Sequence, residues 1–78
     1  MKHARTDYDR IQDPSGLIPA DEPVFLIRGQ DVSGGDAVRA WAALAYAQGA
    51  SDDICTIARE HAAKMDAWPK KKVADFPA

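Results

Sequence analysis

The stretch that decides the fold is DAVRAWAALAYAQ, Asp36 to Gln48, followed by Gly49-Ala50 and then SDDICTIAREHAAKMDAW, Ser51 to Trp68. The first segment holds six alanines and no helix breaker, so intrinsic propensity alone favours a helix. At 100° per residue Ala37, Val38, Trp41, Leu44 and Ala45 share one face. Ser33 with Asp36 three residues on has the form of a capping box, and Gly49 supplies the left-handed C′ position. In the second segment Ser51 is the cap, and Asp52 and Asp53 sit in the positive first turn. Ile54, Ile57, Ala58, His61, Met65 and Trp68 form its apolar stripe, Glu60 and Lys64 pair at i, i+4, and Pro69 stops it. The short link between the segments predicts an antiparallel helical hairpin over residues 33–68. Trp41 and Trp68 are expected to supply most of its apolar area.

Upstream of this hairpin the pattern changes. Val24-Phe25-Leu26-Ile27 is the most β-prone run in the chain and closes on Arg28-Gly29, which predicts a strand. Its competitor is a short helix capped by Asp21 with Pro23 in the first turn. A strand needs a partner, and the candidates are Val73 to Phe76, the N-terminal arm, or the same strand of a second copy. Asp13-Pro14-Ser15-Gly16 fits a type I turn. Met1 to Arg10 is charged and lacks apolar periodicity, which predicts a loose arm. The expected fold is therefore one small α+β domain over residues 1–78, short strand plus helical hairpin, with an all-α bundle as the alternative.

With 78 residues there is room for one domain and a thin core. One cysteine rules out an intrachain disulfide, so helix packing or dimerisation has to stabilise the chain. Twelve acids against ten bases leave a net charge of −2, unlike the basic footprint of a general nucleic-acid binder. No secretory leader is read in MKHARTDYDR, and no apolar run nears the length of a membrane span. With a lone cysteine, these features predict a cytoplasmic protein that does not engage membrane.

The chemical constellations are sparse. His3, His61 and Cys55 are the good nitrogen or sulfur ligands, and no metal-binding spacing joins them. Asp7, Asp9 and Asp13 resemble a fragment of a calcium loop without its glycine and closing glutamate. Cys55 and His61 lie six residues apart, about 120° around the helix, so they do not form a nucleophile–base pair. Cys55 is expected at the stripe's edge as a small half-buried group, with an intermolecular disulfide as the rarer alternative. His61 is expected to be a neutral core histidine. Gly29 to Gly35 runs toward a helix N-terminus that could hold an anion, but it lacks a phosphate-loop spacing, which favours a plain connection. No catalytic residue, metal or cofactor is predicted.

Surface features point instead to partners. Lys70-Lys71-Lys72 beside Trp68 could meet an acidic protein face or a phosphate backbone, or simply solvate the negative end of the helix. Arg39 and Tyr46 form an exposed pair of the type common at contact surfaces. These five residues are the candidate partner-binding set.

The stretch YDRIQDPSGLIPADEPVFLIRGQD, Tyr8 to Asp31, with AVRAWA, Ala37 to Ala42, resembles small proteins encoded by phages and prophages of alphaproteobacteria. In weaker form the similarity reaches Trp68. That group offers no catalytic or binding motif to carry over, so no site residue is transferred. The resemblance implies genomic context, in which short non-enzymatic proteins often inhibit host machinery. The expectation is a non-enzymatic accessory protein that binds a host protein complex stoichiometrically, in its sharpest form an anti-CRISPR-type inhibitor, with a homodimer also in view. The alternatives are a phage structural or assembly component, or an accessory nucleic-acid-binding protein acting through Lys70 to Lys72.

Overall fold

A computed structural model describes residues 2–5 and 12–75. The order is β1 (Lys2–His3), β2 (Pro23–Val24), α1 (Gly34–Ala47) and α2 (Asp52–Ala67). β1 and β2 form a two-stranded parallel sheet in which Lys2 pairs with Pro23 and His3 with Val24. Asp31 and Lys72 add one isolated parallel bridge. The result is α+β: two helices with a very small sheet.

The strand is shorter than its sequence suggests. Only Pro23–Val24 joins the ladder, and Phe25 to Ile27 lie outside it. Its partner comes from the N-terminal arm, where Lys2 N–H donates to the Glu22 carbonyl (2.6 Å). Proline is tolerated there because it opens the strand. Asp13 to Gly16 forms the expected turn, with Gly16 N–H donating to the Asp13 carbonyl (3.0 Å). The Asp13 carboxylate then accepts from the backbone N–H groups of Leu17 and Ile18. Asp7, Asp9 and Phe76 lie outside the described residues.

Helix signals in the sequence translate unevenly. At the end of α1, Gly49 takes φ +97°. Ala50 N–H donates to the Ala45 carbonyl and Gly49 N–H to that of Tyr46. These are the two bonds of a Schellman stop, which turns the chain sharply toward α2. Ser51 caps α2 by accepting from Ile54 N–H (3.5 Å). The capping box at Ser33 does not form: Ser33 has helical φ and ψ and makes no side-chain cap bond. Just ahead of the helix the Asp31 carboxylate accepts from Ser33 N–H (2.8 Å) and its carbonyl from Gly34 N–H (2.9 Å).

The core lies along a seam of small residues. Its buried side chains are Ala42, Cys55, Ala58, Ala62 and Met65, and Val38, Ala45 and Ala50 pack against its Ala42–Cys55–Ala58 part. Their spacing is heptad-like: Gly35, Val38, Ala42 and Ala45 on α1, Cys55, Ala58, Ala62 and Met65 on α2. This three-four-three alternation keeps one narrow stripe facing its partner. Cys55 Sγ donates to the Ala42 carbonyl (3.5 Å), an approach of side chain to backbone that small seam residues permit. Towards the other end, Gly35 backs onto Asp66 so closely that a Cβ would run into its carboxylate. Residue 42 thus meets 55, and residue 35 meets 66, so the two helices run in opposite directions.

Two expectations are corrected by this seam. Trp41 and Leu44 were expected to face the core, yet both are largely exposed, as are Ile54, Ile57, His61 and Trp68. The backbones approach along their smallest residues, which leaves no gap that an indole or isoleucine could enter. Cys55, expected at the edge, is fully buried. Enlarging the seam should therefore be costly. Ala62→Leu is expected to lower stability by about 1–3 kcal/mol through overpacking, measured by urea unfolding, whereas the same change at exposed Ala63 should be nearly neutral.

Candidate interaction surfaces

Two sides of the helical pair have opposite character. Trp41 and Ile54 each precede a seam residue, so each lies roughly 100° from it in the same rotational sense. In antiparallel helices that sense brings both stripes to one side. Trp41 and Leu44 from α1 therefore share a face with Ile54, Ile57, His61 and Trp68 from α2. On the other side Arg39 reaches across to Asp66 (2.8 Å) and also binds Asp36 (2.8 Å).

Arg39 and Asp66 form a charge-assisted clamp rather than a free contact point. Hydrogen bonding to both carboxylates holds Arg39 more firmly cationic, and the bond from Arg39 pulls the Asp66 carboxyl below the usual carboxylate range. Tyr46 is exposed on the same side of α1 as Arg39, two turns away, so the predicted pair shares a face.

The lysine run divides by role. Lys71 Nζ donates to the Met65 carbonyl (2.6 Å) and the Gly29 carbonyl (2.8 Å), tying the last turn of α2 to the preceding loop. Lys72 pairs with Asp75 (3.1 Å), and its backbone bonds to Gln30 and Val32. Lys70 is exposed. One lysine therefore caps a helix, one sits in the isolated bridge, and one faces water.

Beside that bridge lies a groove of about 350 Å³. Phe25 and Leu26 give it an apolar wall, and Arg5, Arg28 and Lys72 border it. Arg5 donates to the Asp75 carbonyl (2.8 Å), Lys72 holds the Asp75 carboxylate, and Asp31 is engaged by Ser33. Arg28 has no ion pair among the described residues and is exposed at the rim. Of the sequence-predicted partner residues only Lys72 borders this groove. Phe25 and Arg28 were missed because the run containing them reads as a strand interior, and nothing in their spacing announces a concave wall.

The remaining chemical candidates do not converge. Cys55 is buried in the seam while His61 is exposed on the open face, so the expectation of a core histidine fails. The glycine-rich connection is filled by its own chain: Gly29 abuts Met65 and Trp68, and Gly34 abuts the Arg28 carbonyl. Just ahead of the helix N-terminus the Asp31 carboxylate is bonded by Ser33 N–H, an acidic group that disfavours a bound anion there. Among the described residues no three histidine, cysteine, aspartate or glutamate side chains gather as metal ligands. No helix among them is long and apolar enough to cross a membrane. No family model, curated protein or solved structure matches the chain.

The clamp has a pH signature. Because its folded-state pKa is lowered, Asp66 contributes stability above its unfolded value and loses it as pH falls through the folded one. Asp66→Asn should therefore lower Tm slightly at pH 7, and the gap to the wild type should close below about pH 4. Thermal unfolding followed by circular dichroism from pH 7 to pH 2.5 checks this.

Proposed function

We propose that this chain is a non-catalytic, cytoplasmic protein-binding module that acts by stoichiometric occupation of a target. In its most specific form it inhibits a host defence complex in the manner of an anti-CRISPR protein. The observation that carries the binding role is the distribution of apolar side chains. Among the described residues the buried core holds five hydrophobic residues, four of them small, while eleven large hydrophobics stand in water. Single exposed apolar groups are ordinary, but grouped ones mark surfaces that another molecule covers.

The groove beside Phe25 is the better place for a foreign partner. It combines an apolar wall with Arg28 at its rim, and its other cations are already engaged within the chain. That chemistry suits a target segment in which an acidic residue neighbours an apolar one: the apolar side chain fills the groove and the carboxylate meets the guanidinium. The identification of that target as a defence complex comes from the resemblance to phage-encoded proteins.

The test is a tagged pull-down from alphaproteobacterial host lysate, with and without phage infection, comparing wild type with Phe25→Asp and Arg28→Glu. The expected result is one host defence complex recovered in stoichiometric amount by the wild type and lost by both variants. Phe25 is 71% exposed, so its replacement leaves the seam intact. Recovery of capsid or assembly proteins alone, unchanged by either variant, would contradict the inhibitor role in favour of a structural one. Binding to nucleic acid that weakens steeply with salt and flattens with Lys70→Ala would favour the nucleic-acid role.

A further inference from the structure

The open face of the helical pair is a second surface, which meets the groove only at Arg28 beside its His61–Trp68 end, and we propose that it is covered by a second copy of this chain. Two copies related by a two-fold axis would pack α1 and α2 against their counterparts as a four-helix bundle.

Area is the first argument. Trp41, Leu44, Ile54, Ile57 and Trp68 are between 41% and 63% exposed. Together they present on the order of 500 Å² per copy, so their burial in a pair reaches roughly the 1,000 Å² that a specific interface needs. Residues along the rim would add to that figure.

Charge is the second. On the two helices the middle of this face carries no Asp, Glu, Lys or Arg; His61 lies within it, and Arg28 borders its Trp68 end. Its outer edge on α2 carries both signs, with Asp53, Glu60 and Lys64 within about 40° of one another around the helix. A surface with mixed signs along one edge is complementary to itself when inverted. A two-fold axis level with the middle of α2, between positions 58 and 59, sets Lys64 of each copy opposite Asp53 of the other, because the two positions are equally far from it along α2.

Permanence is the third. The core behind this face is a seam of alanines, one cysteine and one methionine. A chain of this size with so little buried volume commonly obtains the rest by oligomerisation. A transient target would leave the face bare most of the time, whereas a second copy is present at the protein's own concentration.

Sedimentation equilibrium from 1 to 200 μM tests the proposal on the full chain. Wild type is expected to be a dimer within this range. Ile57→Asp, on a side chain 60% exposed and outside the seam, should weaken dimerisation by at least about tenfold while keeping the helical circular dichroism signal. Lys64→Asp should weaken it less, and Asp53→Lys combined with Lys64→Asp should restore it. A wild type that stays monomeric at 200 μM would overturn the proposal, as would a dimer indifferent to Ile57→Asp. A dimer that responds to Ile57→Asp without rescue by the double charge swap would overturn the proposed two-fold register. The protein-binding role stands or falls separately, because it is read at Phe25, which lines the groove and not the dimer face: a monomer that still captures its target through the groove refutes dimerisation alone.

Discussion

Ala42 against Cys55, with Ala58 and Ala62 beside them, sets the distance between the two helices, and much of the rest follows from that distance. Side chains this small contribute little apolar area each, so the seam stabilises through close backbone approach and dispersion rather than through large buried groups. Met65 is the one large side chain that the described core buries, a contribution of about 1.5–3 kcal/mol. The seam also decides what cannot be inside. With the gap filled by alanines, Trp41, Leu44, Ile54 and Ile57 are held to one flank, and the Arg39–Asp66 clamp closes the other.

Much of the helical architecture was legible from the residues. Gly49 as the left-handed stop, Ser51 as a cap and Pro69 as a terminator act through local stereochemistry, which tertiary context rarely overrules. The face that packs was not legible. Hydrophobicity favours the stripe with the largest side chains, whereas close approach favours the one with the smallest. The signal that distinguishes them is present in the sequence, as small residues at three-four-three spacing on both helices, but amphipathicity weighs it lightly. Exchanging one stripe for the other moved Cys55 inward and His61 outward together. Ser33 failed as a capping residue for a local reason: its backbone is already helical rather than extended, while Asp31 accepts from the N–H groups of Ser33 and Gly34.

The candidate site was less legible than the fold. Arg39, Lys71 and Lys72 read as free surface charges, yet each is drawn into the chain's own structure, as clamp, helix cap and bridge. The groove depends on segments distant in sequence, since Arg5, Phe25 and Lys72 border it together. No local pattern encodes that meeting. It arises from the pairing of β1 with β2 and of Asp31 with Lys72, which bring the N-terminal segment and the chain beyond α2 to the same loop. The division of labour that results has a simple physical basis. One surface is largely apolar, with His61 among its large hydrophobics, and suits a permanent partner, while the other mixes an apolar wall with an available guanidinium and suits a recognised one.

The seam itself is tested most directly by the reactivity of Cys55. A thiol held in the seam against the Ala42 carbonyl has no path to reagent until the helices part. Native protein mixed with an excess of an aromatic disulfide reagent should therefore react at the rate of structural opening, slower by orders of magnitude than in denaturant. Reaction of the native protein at the rate of a free thiol would place Cys55 at the surface, and with it the large stripe, rather than the small one, between the helices.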